Sequence, residues 1–194
     1  NLRIKELPST AATPDETAPL AEGFKSIYTG VDLAGWKTEP GHAGHWQVKD
    51  WILDYDGKSE ARDKNLWTQR EYGDFEMICD WRWTAQPTKT PQPIVLPNGD
   101  EATDAGGNTK TAEVLDAGDS GIYLRGSSKS QINIWNWPIG SGEVYGYRTD
   151  KSLSAQVRRG VTPKVKADHP IGRWNRFVIT MKGDRLTVVL NGRT

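Results

Sequence analysis

The chain has 194 residues, and 25 Lys plus Arg balance 25 Asp plus Glu to a formal net charge of zero. That balance leaves no basic field for nucleic acid or an anionic membrane, and the length fits one β domain with a real core. The single cysteine, Cys79, excludes an internal disulfide and a Cys-based zinc site; it lies in an apolar run and reads as a buried, inert thiol.

Residues 1–22 are broken by Pro8, Pro14 and Pro19 among acidic and small residues and read as a linker or loose arm. The start at Asn1, without Met, suggests a processed chain and a periplasmic or extracellular location. No apolar run approaches the roughly 20 residues that cross a bilayer. From Gly23 onward the texture changes to short apolar or alternating runs at 45–54, 65–70, 74–84, 120–125, 131–137, 143–147, 174–182 and 186–191. Each is strand length and rich in Trp, Tyr, Val and Ile, and none carries a sustained 3.6-residue stripe. An all-β, two-sheet antiparallel sandwich follows.

Between these runs, 86–119 holds four prolines and many polar residues and reads as a long loop insertion, a candidate wall or lid. Lys182-Gly183-Asp184 reads as a hairpin turn, as does Asn191-Gly192. Because the sequence stops two residues after Gly192, the domain of 23–194 is expected to continue into a further strand.

Alternation sorts side chains onto two faces. In 75–83 the odd positions Phe75, Met77, Cys79, Trp81 and Trp83 form an apolar core face. Glu76, Ile78, Asp80 and Arg82 then share the other face. In 120–125, Ile122 and Leu124 point inward while Tyr123 and Arg125 point outward. In 131–137, Ile132 and Ile134 point inward while Gln131, Asn133, Trp135 and Trp137 point outward. Two amides beside two indoles suit a sugar: amides bond hydroxyls, and indoles stack on the ring. The expected core is Met77, Cys79, Trp81, Ile122, Leu124, Phe177, Ile179 and Val188. The nine Trp exceed what such a core needs.

Weaker signals accompany these. His42 and His45 lie in a Gly-rich stretch without a third metal ligand at a suitable spacing. Asp116, Asp119 and Ser120 carry oxygens of the kind a divalent metal such as calcium accepts, but no EF-hand register surrounds them. No nucleophile elbow, P-loop or dinucleotide fingerprint is present.

A set of phrases, taken in order, resembles the 3-keto-disaccharide hydrolase family. They include Gly23-Phe24-Lys25-Ser26-Ile27-Tyr28-Thr29-Gly30, Asp32-Leu33-Ala34-Gly35-Trp36, Glu71-Tyr72-Gly73-Asp74-Phe75-Glu76, Asp119-Ser120-Gly121-Ile122-Tyr123-Leu124-Arg125-Gly126, Val144-Tyr145-Gly146, Gly172-Arg173-Trp174-Asn175 and Val188-Val189-Leu190-Asn191-Gly192. The resemblance implies a concanavalin A-like jelly roll and cleavage of a glycoside already oxidised at C3. It departs at one strand, where the family pattern Glu-x-Gln-x-x-Asp meets Gln131, Asn133 and Asn136. Two carboxylates there become amides, so any chemistry or metal binding they carry in relatives is lost here or moved to Glu143.

Alternation then nominates Glu76, Asp80 or Glu143 as base or acid and Arg82 and Arg125 as holders of an enolate oxygen. Tyr123, Gln131, Asn133, Trp135, Trp137 and Tyr145 are nominated to bind the sugar, and the strands carrying these groups are expected to lie in one sheet with a concave ligand face. Arg125, beside a Gly, is expected to present an unpaired guanidinium. The rival reading is a non-catalytic carbohydrate-binding module on the same face; oligomeric state stays open.

Overall fold

The computed structural model describes residues 23–49 and 51–194, so the proposed linker at 1–22 lies outside the described residues. The chain divides into two compact units, Asn1–Glu71 and Tyr72–Thr194.

In the first unit, β1 (Trp36–Lys37), β2 (Trp46–Lys49), β3 (Ile52–Tyr55) and β4 (Trp67–Thr68) form two antiparallel pairs, β1 with β4 and β2 with β3. The run 45–54 was expected as one strand but folds as a hairpin, with Lys49 opposite Ile52. The turn is hidden in sequence because Trp51 takes the left-handed conformation, at φ 66°, where a glycine would announce it. Trp46 and Tyr55, opposite each other in that hairpin, stack at 4.0 Å and 9°. Both histidines are structural: His42 accepts from the Glu39 N–H through Nδ1 (3.1 Å) and donates from Nε2 to the Asp63 carbonyl (2.7 Å), and His45 pairs with Asp56 (2.9 Å).

The second unit contains β5 (Phe75–Trp81), β6 (Thr88–Pro93), β7 (Thr111–Asp116), β8 (Asp119–Leu124), β9 (Ser127–Trp135), α1 (Tyr145–Arg148), α2 (Ala155–Gly160), β10 (Asn175–Lys182) and β11 (Arg185–Leu190). A three-stranded sheet has the order β11-β10-β5; β6 pairs with β7, and β8 with β9, every pair antiparallel. With 39% strand and 8% helix, the structure is all-β and consistent with a β-sandwich jelly roll. No described helix is long and apolar enough to cross a membrane.

One apolar cluster lies between these sheets. Trp81, Trp83, Phe177, Ile179 and Leu190 contribute from one sheet and its flank, and Leu124, Ile132 and Ile134 from β8–β9. Met77, Cys79, Ile122 and Val188 pack against it half-buried. The alternation reading of β5 therefore holds. Burial drives the Cys79 thiol pKa up to about 12, so it stays a neutral apolar filler. Each large side chain fully withdrawn from water here contributes about 1.5–3 kcal/mol.

Three expectations change. The stretch 86–119 is not an unstructured loop: β6 and β7 run antiparallel from Thr88–Asp116 to Pro93–Thr111, and isolated pairs Val95–Glu101 and Thr103–Thr109 extend the arm. Its prolines are tolerated because a two-stranded ribbon has open edges. The run 143–147 is only briefly extended; Val144 pairs with Ile132, and α1 begins at Tyr145. Finally, β5 belongs to a different sheet from β8 and β9. Turn chemistry was legible: Gly183, at φ 59°, opens the two-residue turn between Lys182 and Arg185, and Asn191-Gly192 (φ 49° and 77°) turns the chain so that Leu190 pairs with Arg193.

Candidate functional site

The register of β8 against β9 places Asp119 opposite Trp135, Gly121 opposite Asn133 and Tyr123 opposite Gln131. Because Ile132 and Ile134 join the core, these partners share the outward face of the pair. On the other side of β9, the Asn133 N–H donates to the Glu143 carbonyl and the Gly142 N–H to the Asn133 carbonyl, each at 2.9 Å. Glu143 thus stands beside Asn133 on that same face. The bare Cα of Gly121 leaves room for its neighbour, since a Cβ there would meet Gln131 Nε2 at 2.4 Å.

The centre of this face is closed. Glu143 is fully buried, and its carboxylate accepts from Asn133 Nδ2 (3.0 Å) and from Arg148 Nε. Arg148 is 2% exposed, donates from Nη1 to the Gly99 carbonyl at 3.4 Å, and lies 5.4 Å from the Trp137 ring centre and 5.7 Å from that of Tyr145. A buried pair of this kind holds its geometry because either charge alone would be strongly disfavoured in the interior.

One end of the face is acidic and open. Asp116, at the end of β7, accepts from Trp135 Nε1 (3.3 Å), Gln92 Nε2 (3.4 Å) and the Gly118 N–H (2.9 Å). Asp119 follows across a turn and makes no side-chain hydrogen bond among the described residues. It is exposed at one side, yet the protein around its carboxyl desolvates it, and Asp116 and Glu143 add negative charge. These effects, burial first, raise its pKa above the ordinary carboxylate value. Half-buried Trp135, Tyr123 and Gln131 share the face with it, and Trp135 meets Trp137 edge to face at 4.8 Å.

The β6–β7 arm walls this region. Its tip residue Asp100 pairs with Lys151 (2.7 Å) and with Arg158 of α2, while Gly99 receives Arg148.

Of the nominated residues, the structure gathers Tyr123, Gln131, Asn133, Trp135 and Glu143 on one face, with Trp137 and Tyr145 around Arg148. It does not bring Glu76, Asp80, Arg82 or Arg125 to them. Glu76 and Asp80 point away from the common core on the other sheet, so the two polar faces look in opposite directions. Asp80 is held by Arg176, Glu76 accepts from Thr180 Oγ1 (3.3 Å), and Arg82 lies 4.7 Å over the Trp174 ring. Arg125 is not unpaired: it donates to the Gly73 carbonyl (3.0 and 3.2 Å), the Gly183 carbonyl (2.7 Å) and Asp74 (3.2 Å). Asn133 and Trp137 were expected outward but are buried, at 2% and 4% exposure: Gly142 and Glu143 bond Asn133, and Arg148 lies against the Trp137 ring.

A calcium site from Asp116, Asp119 and Ser120 does not assemble. Asp119 and Ser120 alternate to opposite faces, and among the described residues no group of three or more His, Cys, Asp or Glu is placed to hold a metal. Sequence reading missed Arg148 and the isolation of Asp119. Arg148 lies past the end of the alternating pattern, and its only signal is the buried acid it must neutralise.

In structure, the chain is similar to a protein from Parabacteroides distasonis described as a candidate glycosyl hydrolase, at 19% identity and a TM-score of 0.47 across 94% of this chain and 73% of that one. No curated protein matches it in sequence. The family model described as 3-keto-alpha-glucoside-1,2-lyase-like domain matches residues 23–194, and the chain belongs to that family.

Proposed function

We propose that this domain cleaves 3-keto-glycosides by elimination and rehydration, with Asp119 as the proton-transferring group. The observation that carries the reading is Asp119 itself: an unbonded carboxylate of raised pKa, open to solvent, on a face bearing Trp135, Tyr123 and Gln131. Membership of a family whose model is described as 3-keto-alpha-glucoside-1,2-lyase-like supports this choice of substrate. Trp135 offers a half-buried ring for the sugar's C–H face, and Gln131 an amide for its hydroxyls.

A ketone at C3 acidifies the C2 hydrogen. The Asp119 carboxylate takes that proton, and the C2–H electron pair moves into a C2–C3 enolate with its charge on the C3 oxygen. As the C3 carbonyl re-forms, that pair becomes the C1–C2 double bond and the C1–O bond breaks. The bond's electrons leave on the aglycone oxygen, which takes a proton from Asp119 or water. Water then adds across the double bond, oxygen to C1 and hydrogen to C2, so the sum is hydrolysis. A base with a raised pKa suits carbon deprotonation better than an ordinary carboxylate. Glu143 is too enclosed to meet the C2 hydrogen, and its ion pair with Arg148 fixes the centre of the face.

The test is release of aglycone from a 3-keto-glucoside by the wild type and by Asp119→Asn, each with and without EDTA. Turnover by the wild type that is lost in Asp119→Asn supports the assignment. Sugar binding without turnover in the wild type would make the domain a binding module. Loss of turnover in EDTA would show that a metal contributes.

A further inference from the structure

Two buried donors beside this face have no acceptor: Nη2 of Arg148 and Nε1 of Trp137. Their residues are 2% and 4% exposed, and the guanidinium carbon lies 5.4 Å from the indole ring centre. Buried donors without acceptors are rare in folded proteins and call for an explanation. Trp81 and Trp83 also have unmatched indole N–H groups, but both sit in the apolar cluster. Arg148 instead adjoins polar Glu143 and Gly99 through the hydrogen bonds that pin the guanidinium, and Trp137 lies against that guanidinium. Arg148 has five N–H donors in a rigid fork, and its Nε and Nη1 are already committed, so Nη2 cannot turn to find another partner.

We propose that Arg148 Nη2 and Trp137 Nε1 form a two-donor notch that receives an oxygen of the bound sugar. In the reading given above, on which this assignment rests, that atom is the C3 carbonyl oxygen. Two donors and no acceptor select an oxygen over a cation or an apolar group. Glu143 neutralises the guanidinium, so the notch accepts an uncharged carbonyl and binds it more tightly as negative charge develops during deprotonation. Both donor atoms are closed to solvent, and Tyr145, 40% exposed with its ring 5.7 Å from the guanidinium, is the surface side chain whose displacement would admit a sugar oxygen. Arg148 and Trp137 are then substrate contacts, in addition to the proton transfer assigned to Asp119.

Trp137→Phe tests this, because it keeps an aromatic ring and removes the N–H together with part of the indole. With a 3-keto-glucoside, kcat should fall about 100-fold with KM little changed, as on removal of one oxyanion donor. The melting temperature should fall, because the smaller ring leaves a cavity at a buried position, so kcat is compared in the folded protein. Wild-type kcat in Trp137→Phe overturns the notch. A second reading does not depend on turnover: the indole Nε1–H resonance of Trp137, identified by its loss in Trp137→Phe, is followed by NMR in Asp119→Asn. It should shift on adding the 3-keto-glucoside. A resonance unmoved by saturating 3-keto-glucoside and by the parent glucoside means the donors meet water alone, and the proposal fails. If the wild type never turns over the 3-keto-glucoside but the resonance shifts, the catalytic reading falls and the notch stands as a sugar-binding contact.

Discussion

Arg176 on β10 grips Asp80 on β5 through two parallel hydrogen bonds, Nε to Oδ1 at 2.7 Å and Nη2 to Oδ2 at 2.8 Å. The two residues are directly opposite in the sheet register, with both side chains 26% exposed. A bidentate pair is the strong form of ion pair, but solvent screening at this exposure limits it to about 1 kcal/mol. Asp80→Asn should therefore lower urea-denaturation stability by about that amount. Turnover of a 3-keto-glucoside should be unchanged, because Asp80 faces away from the β8–β9 face across the core. A catalytic loss in a folded Asp80→Asn protein would move the site to the β5 sheet.

Asp119 predicts the opposite pattern. Its folded-state pKa is raised, so folding favours its neutral form. The stabilisation from that neutral form is full below the ordinary Asp pKa and is lost as pH rises through the raised value. Asp119→Asn stays neutral throughout. Its melting temperature should exceed the wild type's at pH 7, and the gap should narrow towards about pH 3, below the ordinary Asp pKa. In the wild type, kcat/KM should rise with pH through the raised pKa, as a base requires. Equal melting temperatures at pH 7 would show that the carboxylate is well solvated.

Arg125 occupies the first position of a two-residue turn between Leu124 and Ser127, with φ 50° followed by 71° at Gly126. Both positive angles match a type I′ hairpin. Its guanidinium also ties the Gly73 and Gly183 carbonyls together. Arg125→Ala should cost about 1–3 kcal/mol through these lost bonds. Sugar binding in the folded fraction, read by calorimetry, should persist.

The arm's fastening is electrostatic. Lys151 first, then Arg158, hold the Asp100 pKa down to about 2. A lowered carboxylate pKa stabilises above the unfolded value and loses that stabilisation as pH falls through the folded one. The arm should therefore stay fastened through pH 4 and loosen near pH 2. Asp100→Ala should loosen it at neutral pH, read as faster proteolysis within 94–104. Unchanged cleavage would mean that Gly99 and the paired strands suffice.

Much of this protein is local and so readable from its residues. Period-two alternation in 75–81 identifies the core face of β5, because a pleated strand has only two sides. The Lys182-Gly183-Asp184 and Asn191-Gly192 turns are readable because only residues tolerant of positive φ close such hairpins cheaply. The family phrases also lie in the sequence. Alternation, however, assigns a side chain to a face of its own strand and says nothing of which sheet the strand joins. Glu76 and Asp80 therefore looked like neighbours of Gln131 and Asn133, although packing both sheets on one core turns their polar faces apart. Nor does alternation show what covers a face: Asn133 and Glu143 are buried against each other, and Arg148 finds Glu143 only because α1 ends beside it. Burial, charge pairing and the raised pKa of Asp119 are properties of through-space neighbours, and only the tertiary structure chooses those.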